Sequence, residues 1–199
     1  ILVFTILLVV ITSGSLIYFS YKAAYNDLEK SLAQRLEAIA ATGALMIDGD
    51  KHEQVWATQD PNSQEFKDIQ QVLRKIKKTN DLKEEIYTFK RVGEEVRFVV
   101  MSHEGKPFVG DPYLLKKEML PAGNKGKPSH TEIFEDKQGT WISAYAPIYD
   151  SQRHIVGILD VDIRLGEFLE ALAMQTRRLL FISGLLLLLG IVVSLVLSR

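Results

Sequence analysis

Hydrophobic and polar residues alternate along residues 141–163, and a period of two is typical of β-strands. Residues 141–148 predict a strand with aromatic and hydroxyl groups on one face and aliphatic groups on the other. The two faces are Trp141, Ser143 and Tyr145, and Ile142, Ala144, Ala146 and Ile148. Residues 150–153 supply a polar turn, and residues 155–163 alternate as a second strand. The aromatic face is either an amphipathic outer surface or the wall of a pocket.

Two uncharged apolar runs lie near the ends of the chain, at residues 1–19 and 179–198. Each is about as long as a helix that crosses a hydrocarbon layer of roughly 30 Å. We therefore predict transmembrane helices at residues 1–21 and 179–198. An uncleaved signal peptide is the alternative for the first run. Because the chain starts without Met and stops just after the second run, we expect it to be a fragment of a longer protein.

The residues between these runs, 22–178, predict one domain that begins with a long helix. Apolar residues recur at steps of three and four, and no Gly or Pro interrupts residues 22–42. We expect this helix to continue from the membrane to about Ile47, with Gly49 placed to end it. Its apolar positions form a seam for which we predict a homodimer contact: Leu28, Leu32, Leu36, Ile39, Gly43 and Met46.

Shorter elements are predicted further along the chain. Residues 62–78 have one apolar and one charged face, which favours a helix. Residues 86–91 and 96–102 alternate with period two, which favours strands. Residues 103–139 show little periodicity and are rich in Gly and Pro, and a loop of that length in a compact domain is usually functional or disordered.

Composition removes several classes of function. The chain has 24 Lys and Arg against 25 Asp and Glu, so it offers no basic face and we predict no nucleic-acid partner. It has no Cys, which excludes disulfides, thiolate chemistry and cysteine zinc sites. The four His residues stand in separate segments, none three or four positions from another. We therefore predict no metal site and no cofactor.

Four stretches of the sequence together resemble a known kind of domain. They are IDGDKHEQV at 47–55, IYTFKR at 86–91 with RFVVM at 97–101, GDPY at 110–113, and GTWISAYAPIYDSQRHIVGILDVDI at 139–163. In this order they resemble the extracytoplasmic Cache (PAS-like) sensor domains of bacterial transmembrane signalling proteins. Such domains stand in front of histidine kinases, diguanylate, adenylate or guanylate cyclases, and chemoreceptors. The resemblance covers most of residues 22–165.

This resemblance implies an α+β fold with a long N-terminal helix and a five-stranded antiparallel sheet, flanked by two transmembrane helices. One face of such a sheet packs on the long helix, and the other forms a ligand pocket with its covering loops. Small residues allow close approach of a helix, so the alanine face of residues 142–148 suits the helix side. The predicted ligand-binding residues, each of which could instead be a core residue, are Tyr87, Phe89, Asp111, Tyr113, Trp141, Ser143, Tyr145 and Asp160.

Asp160 and Asp162 share one face of the second strand, about 6.6 Å apart by the rise of a strand. Paired carboxylates can serve acid–base catalysis, but no nucleophile or metal cluster accompanies this pair. We therefore predict no catalytic residues. Binding a ligand amine, or capping a helix start near Arg164, is the favoured interpretation.

These observations predict a two-pass protein of the inner (plasma) membrane with residues 22–178 outside the cytoplasm. We expect a homodimer that binds a small molecule and transmits a conformational signal across the membrane. The output module, a histidine kinase or a nucleotide cyclase, would lie beyond this fragment. The alternatives are a membrane-anchored enzyme with its active site in the domain, and a dimerisation stalk that binds no ligand.

Overall fold

The computed structural model describes residues 2–197, which belong to two compact units. One unit contains the residues up to Lys30 and those from Gly166 onward, and the other is Ser31–Leu165. Helices over Ile6–Ala44 and Gly166–Val193 are long and apolar enough to span a membrane. The predicted domain boundaries at residues 22 and 178 fall inside helices and stay predictions.

The unit Ser31–Leu165 combines helices with one antiparallel sheet. The helices of the chain are α1 (Leu2–Ala44), α2 (Gly49–Thr58), α3 (Gln64–Thr79), a 3-10 turn (Lys117–Met119), α4 (Leu120–Lys125) and α5 (Gly166–Leu197). The strands are β1 (Ile86–Val92), β2 (Glu95–Met101), β3 (Pro112–Tyr113), β4 (Ser129–His130), β5 (Phe134–Asp136), β6 (Gly139–Tyr149) and β7 (Ile155–Arg164). The predicted α+β fold with a long N-terminal helix is confirmed.

The strands follow the order β3-β2-β1-β7-β6-β4, and β5 also pairs with β6. The last strand in the sequence therefore lies inside the sheet, between β1 and β6. The sheet has seven strands where five were predicted, because two-residue segments at 112–113 and 129–130 pair with its edges.

The β6–β7 hairpin has a tight polar turn followed by an irregularity in the strand pairing. The Oδ1 atom of Asp150 accepts hydrogen bonds from the backbone N–H groups of Gln152 and His154, at 2.9 and 2.7 Å. Such side-chain bonding to the nearby backbone is the reason that Asp favours turns. The register then shifts between Ile148 and Tyr149, and beyond this shift Ala146 lies opposite Leu159. Opposite residues in an antiparallel pair share a face, so the turn and the shift together decide which side chains meet.

One face of the sheet is packed against helices. A Cβ atom built on Gly43 of α1 would lie 3.2 Å from the side chain of Leu159, so α1 passes close to β7. Ala146 shares the face of Leu159, and both are fully buried. The prediction that the alanine face of β6 is the helix side is confirmed.

Most of the apolar seam of α1 is buried within the single chain. Four of its six residues are buried: Leu32, Leu36, Ile39 and Gly43. Leu28, at one end of the seam, is half-buried, and Met46, at the other end, is 46% exposed. The middle of the seam from which we predicted a homodimer is thus covered inside one monomer, and the homodimer stays a prediction.

A buried polar network joins α2 to the sheet. The Nε2 atom of His52 lies 3.1 Å from the hydroxyl of Thr88, and this hydroxyl accepts a hydrogen bond of 3.0 Å from the N–H of Val100. Burial lowers the pKa of His52 to about 3, with a contribution from Lys90, so the ring is neutral. Thr88 stands at the point where the β1–β2 register shifts, and its side chain satisfies a backbone N–H there.

Gly49 begins α2 and does not end α1, so its predicted role as a C-cap is wrong. Asp48 is the N-cap, since its side chain accepts a hydrogen bond of 3.1 Å from the N–H of Lys51. A methyl group on Gly49 would collide with the carbonyl of Tyr149 at the end of β6. Glycine is therefore required where the start of α2 meets the end of β6.

We predict that Gly49→Ala lowers the free energy of unfolding by ~1–3 kcal/mol, because the added methyl group meets backbone and not a flexible side chain. Urea unfolding of the full chain in detergent, followed by near-UV circular dichroism, measures this. Gly166→Ala is the matched control, since a Cβ atom there meets nothing within 4 Å. Equal unfolding midpoints for the two variants would contradict the close approach.

Candidate ligand-binding site

A cavity of about 280 Å³ lies on the sheet face opposite α1. This volume is at the small end of the range for small-molecule sites. Six aromatic side chains contribute to its wall: Tyr87, Phe89, Phe98, Tyr113, Phe134 and Trp141. Five acidic residues, two basic residues and one amide complete the lining: Glu84, Glu85, Asp136, Asp160, Asp162, Lys116, Arg164 and Gln138.

The rings from β1, β2 and β3 form one continuous wall. Phe89 stacks on Tyr113 with ring centroids 5.1 Å apart, and Phe98 lies 4.7 Å from Phe89. Tyr87 meets the edge of Phe98 at 5.4 Å. Offset and edge-on arrangements of this kind are the favourable ones for aromatic pairs, so the rings hold each other in place. Burial raises the pKa of Tyr87 to about 12, which keeps its hydroxyl neutral.

The opposite rim is an aromatic shelf on which the two basic residues rest. Phe134 of β5 and Trp141 of β6 are partners in the strand register. The Nζ atom of Lys116 lies 3.8 Å from the ring centre of Phe134, and the guanidinium carbon of Arg164 lies 4.6 Å from that of Trp141. Both contacts are cation–π interactions. The Nε1 atom of Trp141 donates a hydrogen bond of 2.9 Å to Asp136, which fixes the shelf.

Three of the five acidic residues already have partners. Ion pairs and hydrogen bonds within the protein occupy their oxygens, so they offer little to a ligand. The pairs are Glu84 with Arg164 at 3.7 Å, Glu85 with Lys77 and Ser102, and Asp136 with the N–H groups of Gln138 and Gly139.

Asp160 and Asp162 differ from these three. Asp160 is 2% exposed, and the Oδ1 atoms of both residues are buried without a hydrogen-bond partner among residues 2–197. Burial raises the pKa of Asp160 well above its usual value, and the neighbouring Asp162 raises it further. Burial also raises the pKa of Asp162, against the opposing effects of the Ser143 hydroxyl and of Lys116. The Oδ1 atoms of the two carboxyl groups therefore lack partners, although the Ser143 hydroxyl reaches the carboxyl group of Asp162.

Ser143 and Tyr145 lie beside the carboxylate pair on the same sheet face and do not line the cavity. The register sets Tyr145 opposite Asp160 and Ser143 opposite Asp162, so all four side chains share a face. Tyr145 is fully buried in an apolar cluster with Met119 and others. Its hydroxyl has no hydrogen-bond partner in the described part of the chain, and burial raises its pKa.

The structure thus separates the predicted site residues into three groups. Those that line the cavity are Tyr87, Phe89, Tyr113, Trp141 and Asp160. Ser143 and Tyr145 lie beside Asp160 and Asp162 on the same sheet face, outside the lining. Asp111 is exposed and lies outside the lining. Its backbone forms hydrogen bonds with Phe98 and Phe108. Tyr113, two residues further on in β3, lines the cavity instead. Whether the lining residues bind a ligand stays a prediction.

Sequence reasoning missed four residues of the lining that matter for its chemistry: Phe98, Lys116, Phe134 and Arg164. Phe98 belongs to a predicted strand, and the period of two could have found it if the phase of that strand had been known. Lys116 and Phe134 lie in the stretch without periodicity. No local signal in that stretch indicates which side chains turn inward.

The chain matches no protein-family model and no curated protein. It is similar to several solved sensor domains. It is 17% identical to the sensor domain of E. coli DcuS, with a TM-score of 0.48 over 75% of this chain and 97% of that one. It is 14% identical to the sensor domain of the V. cholerae histidine kinase DctB, with a TM-score of 0.46 over 74% of this chain and 58% of that one.

A third solved structure is the ligand-binding domain of Mlp24 with asparagine, which is 18% identical. Its TM-score is 0.47, over 80% of this chain and 62% of that domain. The chain therefore spans about three fifths of the DctB and Mlp24 domains and nearly all of the DcuS domain.

We predict that Tyr145→Phe leaves the free energy of unfolding unchanged or raises it, because an unpaired buried hydroxyl costs ~1–3 kcal/mol. Tyr145→Ala should lower the free energy of unfolding by ~3–5 kcal/mol, because the ring fills the apolar cluster that contains Met119. Urea unfolding of the full chain compares the two variants. A Phe variant as unstable as the Ala variant would show that the hydroxyl has a partner after all.

Proposed function

We propose that this chain is a membrane-anchored sensor that binds a small molecule with an ammonium group in the cavity of Ser31–Leu165. One observation carries the proposal: Asp160 and Asp162 present buried carboxylate oxygens without partners to an aromatic-walled cavity. Unpaired buried polar groups are costly, and a ligand ammonium would supply both the hydrogen bonds and the charge that they lack. Aromatic faces around it would add cation–π attraction.

The opposite end of the ligand faces Lys116. Its Nζ atom rests on Phe134 and forms no ion pair in the described part of the chain, whereas Arg164 is paired with Glu84. A free cation on one rim and an unpartnered carboxylate pair on the floor suit a zwitterion. We therefore propose that the ligand carries an anionic group as well as the ammonium, as an amino acid does.

The carboxylate pair lies on the strand that leads toward the second candidate membrane helix. Strand β7 ends at Arg164, and α5 begins at Gly166. We propose that a ligand charge at Asp160 and Asp162 shifts β7, and that this shift passes through α5 to an output module such as a histidine kinase or a nucleotide cyclase. In a homodimer the shift would become a relative movement of paired helices.

A ligand screen tests this function. At a concentration about 100 times its Kd, a ligand adds ~2.7 kcal/mol to the stability of the full chain in detergent. We expect amino acids or related amines to raise the thermal midpoint of the wild type, and Asp162→Asn and Lys116→Gln to lose the shift. Lys117→Gln is the matched control, since that side chain is 88% exposed. It should keep the shift.

Two outcomes of the screen would contradict the proposal. If no amine shifts the wild type, the domain is better explained as a stalk that binds no ligand. If Lys117→Gln loses the ligand-induced rise in thermal midpoint as fully as Lys116→Gln does, the rise depends on the overall charge of the protein and not on binding in the cavity.

The proposed topology places Ser31–Leu165 outside the cytoplasm. The sequence has no Cys, so a single introduced Cys reports its own location. Glu94 in the β1–β2 turn has a side chain that is 94% exposed. We expect Glu94→Cys to react in intact cells with a membrane-impermeant maleimide, and Ser15→Cys, inside the first apolar run, to stay unlabelled. Labelling of Glu94→Cys only after lysis would reverse the topology.

A further inference from the structure

Asp160 and Asp162 oppose each other electrostatically when no ligand is bound. They are two positions apart on one strand face, and the Oδ1 atom of each is buried without a partner in the described chain. Two buried like charges without a paired cation strongly oppose each other's ionisation. The empty cavity must resolve this conflict with groups that are already present.

Neighbouring cations do not resolve it. Lys116 faces the pair, but no ion pair within 4 Å joins it to either carboxylate among residues 2–197. Arg164 is held by Glu84 and by the ring of Trp141. Other charged groups of the lining, Glu84, Glu85 and Asp136, are acidic and make a second negative charge at the pair less favourable.

The surrounding hydroxyls do not resolve it either. Tyr87 on β1 and Tyr145 on β6 are opposite Asp160, Ser143 on β6 is opposite Asp162, and Tyr113 on β3 closes the cavity. All are neutral donors or acceptors and carry no positive charge. From the 3-10 turn and α4, the apolar Met119 and Ala122 pack into the cluster that contains Tyr145.

We propose that Asp160 and Asp162 form a proton site: in the empty cavity the two carboxyl groups share one proton, and a cationic ligand displaces it. The proton would bridge the pair and leave a single negative charge, as in other carboxyl pairs that share a site. The second half of the proposal rests on the proposed function, whereas the first half does not. The domain would then respond to acidity and to ligand through the same two residues.

The sign of the pH effect follows from linkage. Burial raises the pKa of both carboxyls in the folded state, so the folded state holds a proton that the unfolded chain releases above about pH 4. Folding stability therefore decreases as pH rises from about 4 through the pKa of the folded pair. A cationic ligand competes with the proton, so its affinity should fall up to tenfold for each pH unit below that pKa.

Thermal unfolding of the full chain in detergent, without ligand and across pH 4 to 8, tests the proton site. We expect the wild-type midpoint to fall with rising pH, and Asp160→Asn and Asp162→Asn each to lessen that fall and to be more stable than the wild type at pH 8. Asp111→Asn is the matched control, because Asp111 is exposed and outside the cavity, and it should follow the wild type.

The ligand half is tested with methylammonium chloride against potassium chloride at equal ionic strength. Methylammonium should raise the wild-type midpoint more at pH 7 than at pH 5. Equal stabilisation at both pH values would overturn displacement of the proton. No stabilisation at either pH would contradict the ammonium site.

The proton site itself is decided by the titration without ligand. If the two Asn variants keep the wild-type pH dependence in that titration, the proposal of a proton site is wrong, whatever the ligand screen finds.

Discussion

The alternation of side chains along β7 sets the helices and the cavity on opposite sides of one strand. Leu159 faces α1, whereas Asp160 and Asp162 face the cavity. A slip of one residue in the pairing of β6 with β7 would exchange the β7 side chains that face α1 with those that face the cavity. Both carboxylates would then be buried against α1. Two features beside the hairpin turn set this register: the hydrogen bonds that Asp150 accepts within the turn, and the register shift between Ile148 and Tyr149. Without the shift, the pairing of Tyr149 with Ile155 would place the opposite set of β7 side chains on each face.

The helix side and the cavity side are linked through the irregularity between β1 and β2. At the register shift, Thr88 satisfies the N–H of Val100 and is itself bonded to His52. Because His52 is neutral and enclosed, this contact is fixed. On the other face the same shift brings Phe98 opposite Phe89 and so completes the aromatic wall. A polar network on one face thus determines the packing of rings on the other.

Much of this arrangement could be predicted from the local pattern of side chains. The rest depends on how deeply each side chain is buried and on which strands, distant in sequence, pair with each other. Alternation along residues 141–148 indicated both faces of β6, and it placed Trp141 in the cavity wall. It could not show that Tyr145, on the same face, is covered by Met119 and lies in the core. Because the β1–β2 register shifts, the sequence pattern could not show that Phe98 lies on the same face as Phe89. Lys116 lies at the site against the ring of Phe134, which the pairing of β5 with β6 brings there.

The position of β7 inside the sheet also governs how the site is assembled during folding. The β1–β2 and β6–β7 hairpins can form locally, but the rings of Tyr87 and Trp141 belong to different hairpins. They meet only when β1 pairs with β7, across a sequence separation of about 70 residues, and such non-local pairings form late. The carboxylates belong to the last strand of the unit, Ile155–Arg164, so nearly all of Ser31–Leu165 must be synthesised before they can pair with β1. The cavity is therefore complete only after this long-range pairing has formed.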